Sequence, residues 1–342
     1  MSRTPLSITV VVPVRNEARF IRSTLEQLLG QDYPADRFEI IVADGQSDDG
    51  TPAIVRDIAA MHPNVRLMEN TARRSSAGRN LGFRHGRGDV FLVIDGHCHI
   101  PSRDLLAQVA RCFQESGADC LGRPQHLDPP GISSFQSAVA LARASWLGHG
   151  GGSLIYGNAA GFASPVSNGA AYTRAVFERV GYVDETFDAC EDVEFNWRVE
   201  QAGPRCFTSP RLMVRYYPRE SLGGLWRQVV RYGQGRYRLY KKHPATLSLS
   251  TLAPPAFVLG MAACVLAGLL AGVAGHSPVA WTACAQPLVY STVVLAEALR
   301  IGTGQGFAVL RHLPVIFPAI HAGLGAGFLS ASMESGKQGA AQ

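Results

Sequence analysis

Asp95, Gly96 and His97 end the apolar run Val90 to Ile94. That run is rich in β-branched residues and reads as a buried strand. Asp95 is a hard oxygen ligand, His97 offers an imidazole nitrogen, and Gly96 lets another backbone or a phosphate come close. Ligands of open α/β sheets bind at the carboxyl ends of strands, so the triplet lies where a metal–phosphate complex would sit. Asp-Gly is also ordinary turn chemistry, and the tripeptide alone reads more readily as a strand-ending turn. A second pair of acids, Glu191-Asp192, opens the helical stretch EDVEFNWRVEQ. A carboxylate at a helix start is favoured as the anion by the dipole, and it can take a proton from a hydroxyl. As a bare pair these two read as N-terminal helix acids.

The elements that must position these groups follow from periodicity. Ile8 to Val14 reads as a strand buried on both faces. Asn16-Glu17 opens a helical pattern carrying Phe20, Ile21, Leu25, Leu28 and Leu29 on one face. Phe38 to Ala43 is a second strand, ending at Asp44-Gly45, and Gln46 to Gly50 is a turn-rich loop. Thr51-Pro52 begins a helix, Val65 to Met68 is a short strand, and Ala77 to His85 is a helix. Strand alternating with helix is the α/β signature of a parallel, doubly wound sheet. Asn168 to Tyr172 reads as a strand, Arg174 to Val180 as a helix, and Glu191 to Gln201 as a helix ended by Gly203. Ile132 to Ser167 is rich in Gly, Ser and Ala and carries no clear period, with Gly148 to Gly152 reading as flexible.

Charge is distributed unevenly along the 342 residues. From Pro255 to Ser332 the charged residues are Glu297, Arg300 and Arg311 alone, whereas basic residues gather between Arg215 and Lys242. With a net charge of +5, that placement points to a membrane surface and away from nucleic acid. Leu222 to Tyr240 interleaves aromatic, aliphatic and basic residues, which suits a helix in the membrane interface or a soluble helix with one basic face. Pro254 to Gly275 and Ala280 to Leu299 are each long enough to span a bilayer, and Leu313 to Met333, with Pro314 and Pro318, is a weaker third segment. Small residues such as Gly323, Gly325 and Gly327 suit close helix packing. The odd cysteine count of 7, without CxxC spacing, reads as a reducing compartment. His97, Cys98 and His99 cannot share one zinc ion from a strand, because alternate residues face opposite ways. The N-terminal apolar run is too short for a signal peptide, so the N-terminal domain is expected to stay in the cytoplasm.

In order, VVPVRNE (Val11 to Glu17), ADGQSDDGT (Ala43 to Thr51), VIDGH (Val93 to His97), ACEDVEFNWRV (Ala189 to Val199) and QVVRYG (Gln228 to Gly233) resemble the inverting family 2 glycosyltransferases of GT-A fold. With DGH and the C-terminal apolar segments, the set is most similar to glucosyltransferases of succinoglycan-type exopolysaccharide synthesis. The resemblance implies a GT-A domain, a Rossmann-like, doubly wound mixed sheet, over residues 1–220, followed by C-terminal transmembrane α-helices. An interfacial helix is expected over 221–245, and a membrane region of two or three spans over 254–333. It implies that Pro13, Val14, Asn16 and Glu17 cradle the nucleoside, that Asp44 recognises uracil, and that Arg79-Asn80 lies near the diphosphate. Asp95 and His97 match the metal motif, with His in place of its last Asp, which shifts preference from Mg2+ toward Mn2+. Asp192 matches the general base, with Glu191 beside it. Gln228, Arg231 and Tyr232 stand at the acceptor or product site, where related synthases have QxxRW. The implied activity moves a hexose, most simply glucose, from a UDP-sugar to a lipid-linked oligosaccharide at the inner plasma membrane, with a multi-pass anchor, a cytoplasmic catalytic domain and other polysaccharide-assembly enzymes as partners. A processive synthase and a non-catalytic, membrane-anchored sugar-nucleotide-binding subunit are the competing expectations.

Overall fold

The computed structural model describes residues 5–149, 154–166, 168–274 and 277–339. The chain divides into two compact units, residues 1–131 with 153–217, and residues 132–152 with 218–342.

The first unit is built on β1 (Ile8–Val14), β2 (Phe38–Asp44), β3 (Val65–Glu69) and β4 (Val90–Val93). Helices α1 (Ile21–Leu29), α2 (Thr51–Met61) and α3 (Ser75–His85) connect them. Then come β5 (Cys98–His99), α4 (Leu105–Ser116), β6 (Cys120–Gly122) and β7 (Gln125–His126). After residue 153 the unit resumes with β8 (Gly161–Phe162), β9 (Gly169–Thr173), α7 (Arg174–Val180), α8 (Glu191–Gln201), β10 (Cys206–Thr208) and β11 (Val214–Tyr216). The main sheet has the order β3-β2-β1-β4-β9-β6-β10-β8, and β5-β11-β7 form a small second sheet.

The pleat of β1 explains why the sheet is covered on both faces. Val10 and Val12 pack with Ile21, Leu25, Val55 and Ile58 in one core, whereas Val11 joins Phe83, Phe177 and Phe195 in the other. Beneath α3, a Cβ at Gly82 would lie 2.2 Å from Val11 Cγ1. Only a residue without a side chain lets α3 cross β1 so closely, and Arg79 sits three residues before it on the same helix.

The sheet is mixed, as the resemblance implies: β9 runs antiparallel to both of its neighbours, β4 and β6, which the strand–helix alternation by itself had read as parallel. Hydrophobic alternation is the same in either direction, so the pattern alone could not show this. The first helix begins at Ile21 rather than at Asn16. Asn16 is left-handed (φ 58°), and the backbone N–H groups of Asn16, Glu17 and Ala18 donate to Ser47, Thr51 and Asp49.

The second unit takes in the stretch that carried no period. Residues 132–152 leave the expected 1–220 domain and contribute α5 (Ser134–Ala144) and α6 (Trp146–His149). A capping box between Ser133 and Gln136 starts α5. Of the run expected to be flexible, residues 150–152 lie outside those described. The unit also holds α9 (Leu222–Lys242), α10 (Leu249–Val273), α11 (Ser277–Gly302), α12 (Phe307–Leu310) and α13 (Leu313–Gly339), and α5 shares with α9, α11, α12 and α13 a core that includes Ala138, Val139, Leu225, Val229, Leu313 and Phe317. Leu225, Val229 and Leu239 on the apolar face of α9 are buried. The small residues allow near contact of backbones: a Cβ at Gly327 would lie 2.0 Å from Val230 O, and one at Gly325 would lie 2.3 Å from Pro254 O.

Two stretches among the described residues are long and apolar enough to cross a membrane, Leu249–Val273 and Phe307–Ser335. Hardly any of the first is buried, whereas nearly half of the second is. The expected span Ala280 to Leu299 falls in α11 and is not one of the two.

Candidate active site

Three adjacent parallel strands, β2, β1 and β4, bring their carboxyl ends to one edge, with Asp44 in register with Val14. The turns that follow them are tied together by polar side chains. Asp44 is buried, and its carboxylate accepts from Ser47 N–H (3.0 Å) and Ser47 Oγ–H (2.6 Å). Asn16 Oδ1 accepts from Asp48 N–H (3.1 Å). Thr51 Oγ donates to Asp49 (2.6 Å) and accepts from Glu17 N–H (2.9 Å). A carboxylate has about four acceptor positions, so Asp44 keeps capacity beyond its two bonds to Ser47.

The third turn carries Asp95 and His97. A Cβ at Gly96 would lie 2.7 Å from Val14 Cγ1 and 3.2 Å from Glu17 Cγ, so only glycine lets this turn touch the one after β1. Thr24 Oγ donates to Gly96 O (2.8 Å) and fixes the turn from α1. His97 Nδ1 bonds to Glu17 Oε1 at 2.8 Å. A carboxylate on one ring nitrogen is the partner that commonly orients a metal-bound imidazole. Cys98, next in the chain, is buried, 2% exposed. No group of three His, Cys, Asp or Glu side chains among the described residues could hold a metal by itself. Asp95 and His97 are a hard oxygen and an imidazole nitrogen two residues apart, the donor types that could hold a divalent ion completed by phosphate and water.

The second acid pair meets this edge from the other face of the sheet. Glu191 and Asp192 form the first turn of α8, as the sequence predicts, and Cys190 before them is left-handed (φ 62°). Arg79 Nη2 lies 3.5 Å from Glu191 Oε1, both side chains being largely buried. Burial opposes the charge of Arg79, but Glu191, Asp192 and Asp95 outweigh it and hold the guanidinium more firmly protonated than usual. Burial pushes the Glu191 carboxyl up; Arg79 pulls it down and Asp192 adds to the rise. Asp192 is half-buried, and its Oδ1 accepts from Val193 N–H (2.9 Å). One cation and three carboxylates from α3, α8 and the β4 turn are therefore electrostatic neighbours.

Asn80 plays a different part from its neighbour. It is 1% exposed, donates to Val183 O (2.8 Å) and Glu185 Oε1 (2.7 Å), and accepts from Val183 N–H (3.0 Å). Those bonds bind α3 to the loop before α8, which places Arg79 against Glu191. Gln228, Arg231 and Tyr232 lie on α9 in the second unit. Gln228 Nε2 donates to Tyr232 Oη (3.2 Å), and the Arg143 guanidinium of α5 lies 5.9 Å from the Tyr232 ring centroid. Sequence reasoning missed Ser47, Thr51 and Tyr216, whose ring meets that of His97 edge-on at 6.1 Å. The turn signal in QSDDGT contained the first two, whereas Tyr216 lies on a three-residue strand too short to show a period.

Sheet order and edge define a GT-A glycosyltransferase fold. A mannosyltransferase from Pyrobaculum calidifontis, solved with GDP-Man and Mn2+, superposes with a TM-score of 0.60 at 23% identity, covering 97% of this chain and 88% of that one. Residues 1–349 of Staphylococcus aureus TarS, solved with UDP-GlcNAc, superpose with a TM-score of 0.51 at 15% identity, covering 98% and 92%. The chain belongs to glycosyl transferase family 2, whose pattern its residues 9–181 match. It is similar to the succinoglycan biosynthesis protein ExoA of Rhizobium meliloti, 32% identical over 304 residues, which covers 88% of each chain. It is also 24% identical over 328 residues to a Methanococcus voltae enzyme, dolichyl N-acetyl-α-D-glucosaminyl phosphate 3-β-D-2,3-diacetamido-2,3-dideoxy-β-D-glucuronosyltransferase, covering 94% of this chain and 95% of that one.

Proposed function

We propose that the protein is a membrane-attached, inverting, metal-dependent glycosyltransferase that moves glucose from UDP-glucose to a lipid-linked oligosaccharide for an exported polysaccharide. The observation that carries this reading is the grouping of Asp95, Arg79, Glu191 and Asp192 at the carboxyl edge of the sheet. The name of the rhizobial relative points to an exopolysaccharide, and that of the archaeal relative to a sugar phosphate carried on dolichol. Asp44 is the basis for uracil as the base. The two apolar stretches support membrane attachment, with the catalytic unit on the cytoplasmic side.

The chemistry follows from the residues. Asp192 takes the proton of the acceptor hydroxyl as that oxygen bonds to the anomeric carbon. The bond from this carbon to the diphosphate oxygen breaks in the same displacement, which inverts the configuration. Glu191 holds Arg79 beside the reacting groups, and Arg79 supplies fixed positive charge there. A divalent ion at Asp95 and His97 would neutralise charge on the diphosphate leaving group.

The test is a screen of UDP-sugars with Mn2+ against lipid-linked acceptors extracted from membranes, using the full chain in detergent. Transfer of glucose with inversion, lost in chelator and restored by Mn2+ at least as well as by Mg2+, is expected. Nucleotide-sugar binding without turnover of any donor would mean a binding subunit, and full activity in excess chelator would remove the metal from the site.

A further inference from the structure

Arg123 follows β6 and is 2% exposed. β6 is antiparallel to β9, which is antiparallel to β4, so β6 points the same way as β4. Its carboxyl end therefore lies on the same edge as Asp95 and His97. Arg123 Nη2 donates to Tyr216 Oη at 2.5 Å, while Nε and Nη1 are buried and have no hydrogen-bond partner. Arg66 and Arg215 also bury a nitrogen without a hydrogen bond, but each has a carboxylate within reach, Glu39 at 2.9 Å and Asp128 at 3.7 Å. No carboxylate pairs with Arg123 among the described residues. The charges of Arg123 and Asp95 are both felt at Cys98 and Tyr216, which face each other across β5 and β11. Tyr216 in turn packs its ring on that of His97.

A buried cation without an anion is costly, and such groups are ordinarily paired. We propose that Arg123 binds a phosphate oxygen of the substrate beside the Asp95–His97 turn. On the function proposed above, on which this rests, that phosphate belongs to the diphosphate of the donor. Tyr216 alone restrains the guanidinium among the described residues, by the hydrogen bond to its Oη and by its ring, whose centroid lies 5.8 Å away, and swinging out from it would present the two unpartnered nitrogens to the ligand. The resident anion is thus brought by the substrate rather than supplied by the fold.

The experiment measures binding of inorganic pyrophosphate, UDP and uridine, with Mn2+ present, to the full chain in detergent and to its R123M and R123K variants. Melting temperatures are recorded for each without ligand. A charge-assisted hydrogen bond is worth roughly 10- to 100-fold in affinity. R123M should lose about that factor for pyrophosphate and UDP and nothing for uridine, with R123K between the two. The unliganded R123M should melt no lower than the wild type, because the costly unpaired charge is gone. If pyrophosphate and UDP bind R123M normally while KM for the lipid-linked acceptor rises by the same factor, the phosphate is that of the acceptor. Unchanged affinity for pyrophosphate and UDP and an unchanged acceptor KM, or a lowered melting temperature with unchanged affinities, would make Arg123 structural and overturn the assignment. Pyrophosphate carries no base or sugar, so its arm reads Arg123 even if UDP-sugars prove not to be the donors.

Discussion

At the scale of single residues, the division of labour between Glu191 and Asp192 is a matter of environment. Both are in the first turn of α8, yet Glu191 is 7% exposed and faces Arg79 at 3.5 Å, whereas Asp192 is half-buried. A base must reach the proton it removes, and a residue locked against a guanidinium is better placed to hold than to react. Asp192→Asn keeps the shape and removes the basicity. Its transfer rate should fall by roughly 10² to 10⁴ with UDP-sugar affinity near normal. Glu191→Gln should slow transfer less. A binding isotherm and a transfer rate on each variant decide the matter, and a more damaging Glu191→Gln would reverse the assignment. The acid pair and the Asp95–His97 pair were legible in the sequence because each stands at a sharp boundary of pattern. Arg123 was not, since nothing in LGRP distinguishes a buried cation without a counterion from a surface one.

At the scale of elements, the site depends on how α3 and α8 are held across the sheet. Glycine brings α3 down onto β1, and Asn80 binds it to Val183 and Glu185 ahead of α8. The resemblance put Asn80 near the diphosphate with Arg79, but its amide is engaged in holding the loop. Asn80→Ala leaves the N–H and C=O of Val183 without their partner, at a cost of roughly 2–4 kcal/mol. Urea unfolding followed by intrinsic fluorescence should show that loss, while UDP affinity of the folded fraction stays within a few-fold of normal. A stable variant that no longer binds UDP would return Asn80 to the donor site. Strands β1, β2 and β4 were readable because each holds an apolar run of four or five residues (10–14, 40–43 and 90–93), whereas β6, β10 and β11 have three residues apiece and are defined by their neighbours. Strand direction leaves no mark on the hydrophobic pattern, so the mixed sheet was expected from the resemblance alone.

At the scale of the whole molecule, the chain leaves the catalytic unit twice, first after residue 131 and again after residue 217. The first excursion carries α5, whose Ala138, Val139 and Ala142 are buried with residues of α9, α11 and α13. Its capping box, Ser133 to Gln136, was present in the sequence, but the small residues on its buried face gave too little hydrophobic contrast to mark a helix. This has a consequence for any attempt to make the catalytic half alone. Truncation after Glu220, the boundary that the sequence invites, keeps α5 and removes every helix from α9 onward. An apolar helix face is then bared in a chain that also loses its apolar C-terminal stretches. The truncated protein should therefore aggregate or remain bound to detergent, although those stretches are gone. Replacing residues 132–152 with a short Gly/Ser linker in the same truncation should restore a monodisperse species that binds UDP. Size-exclusion chromatography with light scattering checks both, and a monomeric, detergent-free 1–220 fragment would show that α5 does not need the helices that cover it.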